Sequence, residues 1–183
     1  MFFDRDGTLT VDGEGYVGDP ARVELQPGAR EAVALLKGAG ALLFVATNQS
    51  GVARGFYGEE AIGRVQARLE ELLGVRFDAC YYCPHHPSEG QPPYRLECRC
   101  RKPEPGLLER GLAEWSLEAR RCYLVGDTER DLVAGRRAGL RTVFFMNGSN
   151  VEPSGDLRDF STDSLVVAAE WIAADAGLER AGN

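Results

Sequence analysis

No stretch of this 183-residue chain has enough consecutive apolar residues to cross a bilayer. The longest apolar runs, such as 41–46 (ALLFVA), are the length of a strand. No leader segment is expected either, because Met1 is followed at once by Phe2, Phe3 and an acid. The expected location is therefore the cytoplasm, and no membrane partner is expected. Positive charge is short as well. The 21 Lys and Arg residues stand against 28 Asp and Glu, for a net charge of -7. That balance speaks against a general nucleic-acid or membrane-surface binder. It also means that an anionic ligand needs a local cationic site. Cysteine is sparse and odd in number: Cys80, Cys83, Cys98, Cys100 and Cys122. An odd count without a secretory leader disfavours a disulfide framework and leaves metal binding or free thiols. Internal repeats and low-complexity tracts are absent.

What is present is an ordinary globular mixture, 44% hydrophobic and 27% charged, of a length that fits one domain over residues 1–183. Apolar positions recur at helical spacing in 29–37, where Ala32, Leu35 and Leu36 share a face. They do so again in 58–73, through Ile62, Val65, Leu69 and Leu72. Further helices are predicted from Pro105 to about 115, over 129–138 and over 163–174, with a frayed end at 177–183. Strands are predicted over 1–3, 41–46, 77–82, 121–125 and 141–146. This alternation implies an α/β fold: a doubly wound, Rossmann-like, mostly parallel sheet with right-handed crossovers. Ligands of such sheets bind beyond the carboxyl ends of the strands. Asp4, Thr47-Asn48, Cys83 and Asp127 fall there.

The strongest local signal is Asp4-Arg5-Asp6-Gly7-Thr8. Two acids at i and i+2 leave a strand end together, Gly7 allows a tight turn, and Thr8 can bond that turn locally. Asp127 arrives from another strand, with Asp131 one helical turn on. Hard oxygen ligands with few nitrogens suit Mg²⁺ and, through it, phosphate. Any one of these acids alone would more often be a cap; their joint placement at strand ends favours a site.

The Pro- and Cys-rich segment 83–102 contains Cys83-Pro84-His85 and then Cys98-Arg99-Cys100. Two short ligand pairs separated by a loop match a tetrahedral Zn²⁺ site. Four protein ligands would close that site and make it structural, with His86 competing with His85. Cys80 and Cys122 read as buried small hydrophobes.

The apolar strand before DRDGT, Thr47 after ALLFVA, Lys102 in RKPEPG, and the GDTERD segment from Gly126 to Asp131 stand in fixed order. Together they resemble the four motifs of the haloacid-dehalogenase (HAD) superfamily of phosphatases. The resemblance implies that Asp4 is a nucleophile forming an aspartyl-phosphate and that Asp6 carries the proton. It implies that Thr47 and Lys102 hold the phosphoryl group, and that Asp4, Asp6 and Asp127 bind Mg²⁺. Within the superfamily, the CxH…CxC loop before RKP is similar to two branches, acting on heptose bisphosphate and on histidinol phosphate. YYCPHHP, TNQSGVARG, CRCRKPEPG and VDGEGYV are closer to the heptose branch. That likeness implies contacts to a sugar phosphate from Asp12, Gly15, Tyr16, Thr47, Asn48, Gln49, Ser50, Arg101 and Lys102. Arg101 suits a second phosphate, its planar fork beside the point charge of Lys102. The connections after Asp6 and Thr47 are too short for a large cap domain, so the site is expected to stay open. A monomer acting on a small sugar phosphate is expected. The alternatives are a histidinol-phosphate phosphatase, a phosphotransferase, or a non-catalytic zinc-stabilised phosphate-binding protein.

Overall fold

Phe2 and Phe3 form the whole of the first strand, and both are buried because successive side chains of a strand point to opposite faces. Phe2 enters the core on one side of the sheet and Phe3 the core on the other. Burying each ring contributes about 1.5–3 kcal/mol. This two-residue strand therefore ties together both halves of the molecule. The computed structural model describes residues 1–12, 15–151, 153 and 155–178. Two residues of the VDGEGYV segment and the last five of the expected frayed end lie outside the described residues.

The elements alternate along the chain: β1 (Phe2–Phe3), α1 (Ala29–Gly38), β2 (Phe44–Asn48), α2 (Glu59–Leu73), β3 (Ala79–Cys83), α3 (Gly106–Glu114), β4 (Tyr123–Gly126), α4 (Glu129–Arg137), β5 (Arg141–Phe145), β6 (Phe160–Thr162) and α5 (Leu165–Asp175). The sheet has the order β3-β2-β1-β4-β5-β6, and every pairing is parallel. Helices α1, α2 and α5 supply the core of one face, through residues such as Leu36, Leu69 and Ile172. Helices α3 and α4 supply the other, through Leu107, Leu108 and Ala134. Among the described residues no helix is long and apolar enough to cross a membrane. The connection from β3 to α3, residues 84–105, carries the Cys/His segment in place of a cap domain.

Several boundaries moved for identifiable reasons. The expected strand over 41–46 begins only at Phe44, because the Leu43 N–H is taken by the Asp78 carboxylate at 2.7 Å. It then continues to Asn48, paired with Cys83. The strand expected over 121–125 begins at Tyr123, because Ala119–Arg121 close a 3-10 turn before it. The last helix starts at Leu165, where the Ser164 hydroxyl accepts from the Val167 N–H. Strand β6 was not expected: three residues are too few to show a period. Of the cysteines read as buried, Cys122 is buried and Cys80 is half-buried.

Asp78 also accepts from Lys37 Nζ at 2.7 Å, so a single carboxylate joins α1 to the starts of β2 and β3. Burial alone would raise its pKa, but these two hydrogen bonds outweigh it and hold the carboxyl below its ordinary range. A depressed folded pKa contributes stability that is present above the unfolded carboxylate value and is lost as pH falls through the folded one. Asp78→Ala should therefore lower the unfolding free energy by about 1–3 kcal/mol at neutral pH. The urea midpoints of the two proteins should converge in acid. Midpoints that stay equally far apart at every pH would contradict this role.

Candidate active site

The strand order reverses between β1 and β4, and this is where a crevice opens in a doubly wound sheet. Asp4 follows β1 and Asp127 follows β4, so the two acids flank that opening. Lys102 lies between them, 2% exposed. Its ammonium is 2.8 Å from Asp4 Oδ1, 2.5 Å from Asp131 Oδ1 and 2.7 Å from the Ala46 carbonyl. Asn48 fixes the lysine backbone from both sides, donating to its carbonyl and accepting from its N–H, each at 3.0 Å. The expectation that Asn48 touches substrate must accommodate this engagement.

Carboxylate oxygens of Asp4, Asp127 and Asp131 lie within 4.8 Å of one another, and all three residues are buried. Burial raises the pKa of Asp4 above the ordinary range, Lys102 opposes the rise, and the Asp131 and Asp127 charges add to it. Asp127 is raised by burial and by Asp131. Burial would lower Lys102, but Asp131 and Asp4 outweigh it and keep the amine charged. Three acids against one cation leave an excess of negative charge that a small divalent cation would offset. The all-oxygen donor set thus fits Mg²⁺.

Asp131 has little left for an ion. One oxygen holds Lys102, and the other accepts from the Thr128 N–H at 3.1 Å and its hydroxyl at 2.5 Å, capping α4. Thr8 bonds not its own turn but Asp127 Oδ1, at 3.1 Å across the crevice. Gly7 is required twice over. Its φ is +89°, and a Cβ there would lie 2.3 Å from Asp127 Oδ2.

Asp6 stands apart from the acid cluster. Its carboxylate accepts from Arg5 Nε at 2.9 Å and Arg5 Nη2 at 3.0 Å, and from Gln49 Nε2 at 2.7 Å. With its side chain turned this way, the residue could offer an ion only its main-chain carbonyl. Arg5 is fully buried, and its remaining terminal nitrogen has no hydrogen-bond partner among the described residues.

A cavity of about 410 Å³ collects Asp4, Asp6, Asp12, Gly15, Tyr16, Thr47, Asn48, Ser50, Arg101 and Lys102, together with Arg54, His86, Asp127, Thr128 and Arg130. Gln49 does not line it; at 1% exposure it lies behind Asp6. Arg130 was missed by sequence reading, though it lies inside the GDTERD segment. Asn147 and Asn150 were missed as well. Asn147 donates to Asp127 Oδ2 at 2.9 Å and Asn150 to the Asp127 carbonyl at 2.9 Å. Both follow β5, at the same sheet edge, and following strand ends one strand further would have found them.

Next in sequence to the cavity-lining residues His86 and Arg101, the chain brings Cys83, His85, Cys98 and Cys100 together. Their sulfur–sulfur separations are 3.1–3.5 Å, and His85 Nδ1 is 3.3 Å from Cys100 Sγ and 3.7 Å from Cys83 Sγ. Zinc–thiolate bonds of about 2.3 Å in a tetrahedron place sulfurs about 3.8 Å apart, so this soft donor set fits zinc with little movement. His86 is not the fourth member. Its Nδ1 accepts from the Glu89 N–H at 3.0 Å, and its Nε2 faces Arg54.

The fold and this crevice define a HAD-like hydrolase. The HAD-hydrolase-like family model matches residues 99–168. The chain is 37% identical over 178 residues to the D-glycero-beta-D-manno-heptose-1,7-bisphosphate 7-phosphatase of Haemophilus ducreyi, covering 94% of this chain and 97% of that protein. It is 36% identical to the Chlorobaculum tepidum D-glycero-D-manno-heptose-1,7-bisphosphate 7-phosphatase, covering 83% and 80%. The crystal structure of the D,D-heptose 1,7-bisphosphate phosphatase of B. bronchiseptica, complexed with magnesium and phosphate, matches with a TM-score of 0.80. The identity is 28%, over 96% of this chain and 98% of that one. The chain belongs to the heptose-1,7-bisphosphate 7-phosphatase family of HAD-like hydrolases.

Removing the one ammonium from three buried carboxylates should cost about 3–5 kcal/mol where no divalent cation is present. Lys102→Met should therefore melt well below the parent in EDTA. Millimolar Mg²⁺ should raise its melting temperature more than it raises the parent's. Equal magnesium shifts in the two proteins would show that Lys102 does not share this charge balance.

Proposed function

We propose that the chain is a magnesium-dependent phosphatase that removes the 7-phosphate of D-glycero-D-manno-heptose 1,7-bisphosphate, working as a monomer in the cytoplasm. The observation that carries this reading is the Asp4–Lys102–Asp131 group facing Asp127, at the base of a cavity whose rim presents Arg101 and Arg130. Mg²⁺ held by Asp4, Asp127 and the Asp6 main chain would supply the positive charge that lets a carboxylate approach a phosphate dianion. Zn²⁺ held by Cys83, His85, Cys98 and Cys100 would be structural, tying down a loop with little apolar content of its own.

The chain's own residues supply the rest. An Asp4 oxygen attacks phosphorus and forms an acyl phosphate, while the bond to the sugar C7 oxygen breaks. Asp6 gives its proton to that leaving oxygen. Asp6, now a carboxylate, takes a proton from water as the water attacks the same phosphorus. Inorganic phosphate leaves and Asp4 is restored. Lys102, already 2.8 Å from Asp4, and the buried Thr47 hydroxyl would bond the transferring oxygens in both steps.

Arg101 extends along the cavity, its Nη1 donating to the His85 carbonyl at 3.1 Å. Burial lowers its pKa, and the nearby positive charge of Arg130 lowers it further. Two guanidinium groups facing one space suit the phosphate that does not react. Asp12, Gly15, Tyr16, Asn48 and Ser50 line the region between and would meet the sugar.

Asp4→Asn should abolish phosphate release while the protein keeps one zinc per chain and its melting behaviour; retained turnover would remove Asp4 from the chemistry. Arg101→Met should raise KM for the heptose bisphosphate by about 10-fold and leave a heptose carrying only the 7-phosphate nearly unaffected. Comparable losses on both sugars, or faster hydrolysis of histidinol phosphate by the parent enzyme, would redirect the substrate assignment.

A further inference from the structure

Tyr57 belongs to none of the sequence motifs, yet its surroundings are closely fitted. A Cβ on Gly18 would come within 2.2 Å of its ring, and one on Gly51 within 2.5 Å. Only two glycines leave room for the ring, which lies between the segment after Tyr16 and the loop after β2. The hydroxyl at its tip donates to Gln49 Oε1 at 2.9 Å. The Gln49 amide donates in turn to Asp6 Oδ2 at 2.7 Å and to Thr47 Oγ1 at 2.9 Å.

This chain has a direction. If the Gln49 amide were reversed, its oxygen would face the Asp6 carboxylate, acceptor against acceptor. The Tyr57 hydroxyl favours the productive orientation by donating to Oε1. Burial pushes the tyrosine pKa up to about 12, so the hydroxyl remains a donor throughout the neutral range. Arg5 grips both Asp6 oxygens from one side, and Thr10 Oγ1 stands 3.4 Å from Oδ1. Gln49 is the neutral donor that completes the set, and Tyr57 holds Gln49.

We propose that Tyr57 is a positioning residue for the phosphatase reaction: acting through Gln49, it fixes the rotamer from which the Asp6 carboxyl serves the leaving oxygen. The proposal rests on the reading of Asp6 as the proton carrier. Displacing such a group by about 1 Å can cost on the order of 10²-fold in rate. Loss of one supporting hydroxyl should cost less, and only where a proton must be delivered.

The test compares two leaving groups. A sugar phosphate departs as an alkoxide and needs the proton of Asp6; p-nitrophenyl phosphate departs as a stable phenolate and needs it far less. In Tyr57→Phe the ring still fills the slot and only the hydroxyl is gone. This variant should lose about 10-fold in kcat/KM on the heptose bisphosphate and less than about 2-fold on p-nitrophenyl phosphate. Gln49→Met, close in volume, should show the same selectivity. Asp6→Asn should show it more strongly, and adding Tyr57→Phe to Asp6→Asn should cost nothing further. Equal losses on both substrates in Tyr57→Phe, or full additivity with Asp6→Asn, would overturn the role of Tyr57 while leaving that of Asp6 intact. Because water attack on the acyl phosphate is common to both substrates, the comparison is made in kcat/KM: an Asp6→Asn variant that loses kcat/KM equally on both would instead overturn the assignment of Asp6, and the proposal with it.

Discussion

The buried ammonium of Lys102 is the interaction on which the rest of the site depends. It is drawn from the segment before α3 and inserted among carboxylates that come from β1 and α4. Without it, three acids would share a dry crevice at the centre of the sheet, and desolvation together with mutual repulsion would drive protons onto them. With it, Asp4 and Asp131 are held in position while the group still carries excess negative charge. A folded chain that retains such an excess is organised for a cation that arrives later. The two-faced Phe2–Phe3 strand provides the rigid base from which Asp4 leaves the sheet.

Around this centre the chain divides its polar residues between those that meet the ligand and those that hold them. Asn48 clamps the Lys102 backbone, Asp131 grips its amine, and Thr8 and Asn147 orient Asp127. Each of these residues is committed to another protein group, and this keeps the reacting groups in one rotamer. The same economy explains why Asp6, two residues from Asp4, sits in a separate network. Arg5 and Gln49 hold its carboxylate apart from the cluster of Asp4, Asp127 and Asp131.

The Cys/His loop is the second organised feature and is coupled to the first by connectivity and by a hydrogen bond. Cys83 ends β3, Cys100 stands two residues before Lys102, and the Arg101 between them binds the His85 carbonyl. Tying Cys98 and Cys100 to Cys83 therefore fixes the approach of Arg101 and Lys102 to the crevice. Glu59, at the start of α2, steadies the loop from the other side by accepting from the hydroxyls of Tyr82 and Tyr94. A folded loop takes the place of a cap domain along this edge.

Much of this was legible in the residues themselves. Strand-length apolar runs alternating with segments of helical period implied an α/β sheet, because each apolar face must be buried against the next element. The strand-end rule then brought Asp4, Thr47, Cys83 and Asp127 to one edge without reference to any coordinates. The spacing of Cys83, His85, Cys98 and Cys100 implied that these four side chains meet, as they do, because sequence-local pairs need only one loop closure. What only the tertiary structure decided was the pairing of side chains distant in sequence. The partner of Asp131 is a lysine 29 positions before it, that of Thr8 is Asp127, and that of Asp6 is Gln49, with Tyr57 behind it. Local patterning sets which face a residue occupies. Which rotamer it takes, and therefore which neighbour it binds, is set by close packing between elements that no single segment encodes.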